Sequence, residues 1–225
     1  MGKSARPAFK KSYSQSGEDL IVKYIFDVLG IGRPSYIDIG AHHPTYLSNS
    51  ALFYENGSRG INIEPDPTLI KAFKVQRPED INLNIGISDQ QSVLDFYIIN
   101  NPVLNTFSRE EAEAYHREGD YHIVEEKKIP VDTVESVLKQ HRQGRFPEFL
   151  TIDAEGIDEI VLKSIDFDNN SPVVICVETI SFSNSGHGVK NSALIGFLQS
   201  QGYMLYADTY INSIFVRKER WERQR

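Results

Sequence analysis

Asp38 and Glu64 each close a short apolar run, Tyr36-Ile-Asp-Ile-Gly-Ala-His-His-Pro44 and Ile61-Asn-Ile-Glu-Pro65. Tyr36 to Ile39 is short and rich in β-branched residues, as a buried parallel strand requires, and Gly40 lets the backbone turn sharply beside a ligand. Glu64 falls where doubly wound folds place the acid that binds ribose hydroxyls, so the two runs together predict an adenosine ligand. A dinucleotide would require G-x-G-x-x-G, whose glycines admit a pyrophosphate to a helix N-terminus. Here Gly40 is followed by Ala41, His42, His43 and Pro44. Pro44 removes a backbone donor and the imidazoles fill space, which makes a poor phosphate cradle. S-adenosylmethionine carries a sulfonium and an amino acid instead of phosphates, and tolerates acids nearby. The run therefore favours a methyl donor over a nicotinamide cofactor.

A second acidic block, Phe149-Leu-Thr-Ile-Asp-Ala-Glu-Gly-Ile-Asp158, again reads as a buried strand ending in carboxylates. Asp153 at the strand end is expected in the same crevice as Asp38, on the neighbouring strand across the switch point. Asp158 reads instead as an acid favouring a helix N-terminus. A further apolar run, 172–178, ends in Glu178.

The elements that must position these groups follow from periodicity. Gly17 to Leu29 carries apolar residues at helical spacing and predicts a helix covering the first strand. Strands are expected at 36–39, 60–63, 81–85, 148–152 and 172–178, with helices near 46–56, 67–76, 132–141 and 157–164. That alternation means a parallel sheet with helices on both faces. Val93 to Ile99 reads as a further strand pairing as an edge hairpin with the segment before it. After a helix near 190–200, Tyr203–Tyr206 and Ile211–Val216 lie too close for a parallel crossover, so they predict an antiparallel hairpin. Residues 100–128 break the pattern and read as an insertion over the carboxyl edge of the sheet, either a solvated connector or a lid. The organisation expected is a flexible segment over 1–12 and one domain over 13–225.

The 225-residue chain has a formal net charge of -7, which disfavours nucleic acid as a partner, since phosphate binding rests on clustered Lys and Arg. Basic residues gather at the two ends and read as solvated termini. The lone Cys176 cannot form an internal disulfide and sits in an apolar run, which fits a core position in a reducing cytoplasm. No apolar run approaches the roughly 20 residues of a membrane span.

Six pieces in order, Tyr13-Ser-Gln-Ser-Gly-Glu-Asp-Leu20, Ile37-Asp-Ile-Gly-Ala41, Ile63-Glu-Pro65, Gly86-Ile-Ser-Asp89, Asp132-Thr-Val-Glu135 and Ile152-Asp-Ala-Glu-Gly156 with Val161-Leu162, resemble the FkbM family of S-adenosylmethionine-dependent methyltransferases. The resemblance implies a class I, Rossmann-like, doubly wound and mostly parallel sheet with a C-terminal antiparallel hairpin, and O-methyl transfer to carbohydrate or secondary-metabolite hydroxyls. It implies that Asp38 and Gly40 face the methionine part of the cofactor, that Glu64 takes the ribose hydroxyls, that Asp89 bonds the adenine amino group, and that Gln15 and Ser16 close over the cofactor. His42-His43-Pro44 and Thr151 depart from the family pattern.

Methyl transfer needs an aligned and deprotonated acceptor, which leaves two routes. In one, His43, or else His42 or His187, is the general base. In the other, Asp153 and Glu178 bind a divalent cation such as Mg that acidifies the acceptor hydroxyl, an arrangement similar to that of catechol O-methyltransferase. The function expected is methylation of a carbohydrate hydroxyl for a surface polysaccharide or glycoconjugate. The alternatives are a small-metabolite O-methyltransferase and a silent cofactor-binding protein.

Overall fold

The computed structural model describes residues 10–118, 120–154, 156–180 and 188–223. In chain order the elements are α1 (Glu18–Val28), β1 (Tyr36–Ile39), α2 (Ala51–Glu55), β2 (Gly60–Ile63), α3 (Ile70–Gln76), β3 (Ile81–Leu83), β4 (Gly86–Ile87) and β5 (Ser92–Ile99). A 3-10 turn, Pro102–Leu104, and α4 (Arg109–Glu118) precede β6 (Ile123–Asp132), α5 (Val134–Arg142), β7 (Phe149–Ile152) and α6 (Asp158–Lys163). The chain ends in β8 (Val174–Glu178), α7 (Ser192–Ser200), β9 (Tyr203–Asp208), β10 (Asn212–Arg217) and α8 (Lys218–Glu222).

Four-residue runs such as Tyr36–Ile39 and Phe149–Ile152 are buried at every position, which only a strand covered on both faces tolerates. They assemble a seven-stranded sheet in the order β3-β2-β1-β7-β8-β10-β9. Pairing is parallel from β3 through β8, and β10 is antiparallel to both β8 and β9. The expected mostly parallel sheet with a terminal antiparallel hairpin is therefore present.

Alternation along each strand sorts the core into two layers. Ile37, Ile39, Ile61, Ile63, Leu150 and Ile152 pack with Val137 and Leu138 of α5, Val161 and Leu162 of α6, and Leu194 and Leu198 of α7. On the other face Tyr36, Phe149, Val174 and Cys176 pack with Val22, Ile25 and Phe26 of α1 and Phe53 of α2. Each such buried side chain contributes on the order of 1.5–3 kcal/mol. Asp38, between Ile37 and Ile39, projects to the α1 and α2 face, where Ser50 meets it.

The region from Ser92 onward departs from the expectation. β5 pairs with β6, the segment that follows it, in a long antiparallel hairpin, and β4 pairs in parallel with β6 to make a three-stranded sheet. The 3-10 turn and α4 are the excursion between β5 and β6. Leu104, Ala112 and Tyr115 seat it on Tyr97 and Ile99 of β5. No helix among the described residues is long and apolar enough to cross a membrane.

Candidate functional site

The chain runs outward from β1 through β2 to β3, then returns on the other side of β1 at β7. Neighbouring loops diverge at such a switch point and leave a crevice beyond the carboxyl ends of the strands. A narrow crevice opens there, walled by Asp38 to His42 at the end of β1, Ile63 to Pro65 at the end of β2, and Thr151, Asp153 and Ala154 at the end of β7. Gly86, Ile87, Phe96, Pro102, Asn105 and Phe107 make its apolar side. Gly86 has to be glycine for that side to form, because a Cβ there would lie 2.4 Å from the Phe107 ring.

The first three backbone donors after β1 are committed inside the protein. Gly40 N and Ala41 N both donate to Ile63 O at 3.0 Å, and His42 N donates to Glu64 Oε2 at 2.8 Å. Glu64 Oε1 accepts from Asp66 N at 2.7 Å. The crevice thus presents a fixed Glu64 carboxyl group, with the Gly40, Ala41 and His42 amides turned into the protein. His42 holds this turn with a left-handed φ of 53°.

A wider cavity of about 930 Å³ adjoins the crevice, and Asp153 and Val103 belong to the walls of both. Its lining is acidic: Glu110 and Glu111 from α4, Asp153 just past β7, Asp158 and Glu159 from the first turn of α6, and Glu178 from β8, against Arg117 and Lys190. Lys190 is already held by Asp208 at 2.7 Å.

Desolvation dominates the ionisation of these groups. Burial pushes Glu178 up to about 10, with Asp153, Asp158 and Glu111 adding repulsion, so Glu178 is protonated near neutrality and hydrogen-bonds Asp153. Asp153 is open to both cavities yet set deep among protein atoms; desolvation raises its carboxyl and the bond from Glu178 draws it back. Burial also raises Asp158 to about 7, Glu64 to about 8 and Asp38 to about 6.

These shifts fix a sign for stability against pH. A carboxyl raised in the folded state binds its proton more tightly there than in the unfolded chain, so stability is full below the unfolded value of about 4 and drains as pH rises through the folded value. For Asp38, Asp158 and Glu64 the window runs from about pH 4 to about pH 8. Glu18 and Asp132, whose carboxyls are lowered, act oppositely only below the ordinary values of 4.5 and 3.8. The ligand-free protein is expected to melt at a lower temperature at about pH 8.5 than at about pH 6. An equal or higher Tm at the alkaline pH would reject this electrostatic account.

Of the residues expected from sequence, Asp38, Gly40, Glu64 and Asp153 come together around the crevice, and Glu178 meets Asp153 from the wider cavity. The others do not join them. Asp89 is exposed and outside the crevice lining, because β4 ends at Ile87, Ser88 N bonds Asp132 O, and the chain turns outward. Gln15 lines the wider cavity, and Ser16 lines neither. The turn carrying both is pinned by Asp19 to Ser12, Tyr13 N and Ser14, and by Glu18 to Thr209 and Asn212 beside the β9 to β10 hairpin.

His43 lies outside both linings, and its Nδ1 accepts from Thr45 N at 3.1 Å and Tyr46 N at 3.0 Å, so the ring caps a turn. His187 lies outside the described residues. Among the described residues no group of three or more His, Cys, Asp and Glu is arranged to hold a metal ion. The Thr179 hydroxyl, at 2.6 Å from Ser213 Oγ, is bonded away from Asp153 and Glu178. The donor set therefore does not fit a cation centre.

Sequence reasoning passed over Glu111 and assigned Asp158 only to a helix terminus. Asp158 does stand at the start of α6, but its Oδ1 accepts from Ala154 N at 2.8 Å and it walls the wider cavity.

A doubly wound, mostly parallel sheet with its crevice at the switch point and β10 inserted antiparallel between β8 and β9 has the Rossmann-like class I methyltransferase architecture. The model of the Methyltransferase FkbM domain matches residues 38–205, and the chain belongs to that family. It is a methyltransferase, and the family supports S-adenosylmethionine as its methyl donor. Among solved structures it is similar to a TehB-like SAM-dependent methyltransferase from Corynebacterium glutamicum, at 12% identity over 90% of this chain and 88% of that one, with a TM-score of 0.42. It is also similar to a precorrin-6y C5,15-methyltransferase from Geobacter metallireducens, at 14% identity over 87% of each chain, with a TM-score of 0.38. No match was found among curated proteins.

Proposed function

We propose that the chain transfers a methyl group from S-adenosylmethionine to a hydroxyl of a neutral, polyhydroxylated acceptor, a carbohydrate above all. The observation that carries this reading is the commitment of the Gly40, Ala41 and His42 amides within the protein beside the Glu64 carboxyl group. A pyrophosphate would find those three amides already used, whereas a ribose finds an acceptor whose two oxygens are each oriented by one backbone N–H. Phe96, Phe107 and Ile87 offer an apolar slot for adenine, and Asp38 an anionic partner for the ammonium of the methionine part.

When bound, S-adenosylmethionine supplies an electrophilic methyl on a sulfonium sulfur. Asp153, on the wall shared by the two cavities, would take the proton that the acceptor hydroxyl releases as its oxygen bonds to the methyl carbon, while the sulfur–methyl bond breaks and its electron pair stays on the sulfur of S-adenosylhomocysteine. Glu178, carrying a proton, holds the Asp153 carboxylate in place. The carboxyls of Glu110, Glu111, Asp158 and Glu159 accept hydrogen bonds from acceptor hydroxyls and repel phosphates, which favours neutral oligosaccharides over nucleotide-linked sugars. Residues 102–117 act as the lid, since they line both cavities. The acceptor is the partner; nucleic acid has no part, and the cytoplasm is the compartment proposed.

Calorimetric titration is expected to give binding of S-adenosylhomocysteine and none of NAD. A mass-spectrometric screen over neutral oligosaccharides, nucleotide-linked sugars and small alcohols is expected to show one added methyl group on a neutral oligosaccharide, unaffected by chelator. His43→Ala should turn over within about threefold of the parent, because its ring caps a turn. Tight NAD binding without S-adenosylhomocysteine, or no methylated product from any acceptor class, would refute the assignment.

A further inference from the structure

Arg77 lines neither cavity, yet it is among the largest fully buried side chains, 1% exposed. An ion in the interior costs several kcal/mol of desolvation unless every donor is met by an acceptor. Its Nε donates to Asp80 Oδ2 at 3.0 Å, and its Nη2 donates to Tyr36 Oη at 2.7 Å and to Ser50 Oγ at 3.0 Å. Its Nη1 reaches Pro44 O at 3.4 Å. The guanidinium also lies 5.1 Å from the Tyr54 ring centroid, 5.3 Å from that of Tyr36 and 5.4 Å from that of Phe73.

A purely structural ion pair would end at Asp80, whose carboxylate is already satisfied by Tyr36 Oη, Gly60 N and Asn62 Nδ2. Two arms of Arg77 instead reach groups directly behind the crevice wall. One holds the carbonyl at the end of the Gly40 to Pro44 turn. The other holds Ser50, whose Oγ donates to Asp38 Oδ2, so that guanidinium, hydroxyl and carboxylate stand in line. Ser50 is wholly buried at the start of α2, so its hydroxyl has no water to exchange partners with.

We propose that Arg77 and Ser50 are positioning residues for S-adenosylmethionine: through Ser50, Arg77 keeps the Asp38 carboxylate ionised and aimed at the ammonium of the methionine part. The proposal rests on the reading of the crevice given above. Neither residue touches the cofactor; both act through Asp38.

The groups bearing on Asp38 come from every element around it. Ser50 from the start of α2 and Arg77 from the end of α3 favour its charge, whereas Asp80, Asp153 from β7 and Glu64 from β2 oppose it. Burial is the largest influence, and Asp38 ionises at about 6 with Ser50 and Arg77 in place. Affinity for the ammonium-bearing ligand should therefore increase as pH rises through that region, and loss of the Ser50 hydroxyl should move the midpoint upward.

Binding of S-adenosylhomocysteine, which keeps the same ammonium, is to be measured by calorimetry from about pH 5 to pH 8. In the parent chain, affinity is expected to strengthen with pH about a midpoint near 6. Ser50→Ala is expected to weaken Kd about tenfold at pH 6 and to raise the midpoint, as loss of a hydrogen bond to a charged group implies. Its kcat at saturating cofactor should stay within about threefold, and Ser50→Thr, which keeps the hydroxyl, should restore both. A merely structural role would lower Tm without moving the midpoint.

Should Ser50→Ala not fold, Arg77→Lys carries the test, since an ammonium cannot hold Asp80, Tyr36 and Ser50 at once. Unchanged Kd and midpoint in whichever variant folds would overturn the proposal, and so would a flat pH profile in the parent chain. Absence of S-adenosylhomocysteine binding to the parent at every pH would instead overturn the crevice reading on which the proposal stands.

Discussion

Asp153→Asn is expected to lower kcat for methyl transfer by about 10²–10⁴, the range that a positioned general base contributes, while leaving Kd for S-adenosylhomocysteine within a few-fold. The side chain stands on the wall common to both cavities, where a methyl on one side would meet an oxygen on the other. Asparagine has the same shape but cannot accept the proton. The backbone of residue 153 contributes to the sheet margin through its N–H to Ile39 O at 3.0 Å, which the substitution keeps. Glu178→Gln should cost less, because an amide can still donate to the Asp153 carboxylate. Single-turnover rates measured across pH would separate the two: Asp153→Asn should abolish the rise in rate that follows its deprotonation. A rate within threefold of the parent would remove Asp153 from the chemistry.

Gly40→Ala is expected to lower Tm by roughly 4–20 °C and to abolish S-adenosylhomocysteine binding. At φ 74° a Cβ on residue 40 would lie 1.8 Å from the Asp153 carbonyl oxygen and 2.7 Å from its carbon, so β1 and β7 would have to part. A left-handed non-glycine residue costs about 1–2 kcal/mol and overpacking a further 1–3 kcal/mol. In a domain of this size each kcal/mol shifts Tm by about 2–4 °C. The opening would fall between Asp38 and Asp153, inside the crevice, so ligand affinity should disappear even at temperatures where the variant remains folded. Melting and calorimetry on the same preparation check both halves, and parent-like binding would contradict the packing argument.

What the sequence made legible was set by how local the cause was. β1, β2, β7 and β8 could be read because strands buried on both faces are continuous apolar runs; Glu64, Asp153 and Glu178 stand out as acids at the ends of such runs, and Asp38 as an acid inside one. β6 could not, since Val124 to Lys128 is mostly exposed and charged, and it is a strand only through pairing with β5 and contacts such as Lys128 Nζ to Asp95 Oδ1 at 2.6 Å. The same blindness covers Arg77, whose burial depends on Tyr36, Pro44 and Ser50 from elsewhere in the chain. His43 was singled out by residue type and nearness to the motif, yet the direction of its ring is decided by two amides of the following turn. Asp89 was placed by family pattern, and the brevity of β4 turns it outward.

The order of strands has a consequence for how the molecule comes to exist. β1 is formed early in synthesis, but its partner on the crevice side is β7, and the contact at their base joins Ser35 to Glu148 across 113 residues. Loop closure over that span must be met before the pairing stabilises anything, and topologies of high contact order fold slowly for this reason. Through β6 the nascent chain has the Asp38 and Glu64 wall without its opposite. Competence to bind the methyl donor is therefore acquired late, with the arrival of β7, and a ligand that binds only the closed sheet works as a thermodynamic latch on the last long-range step of folding.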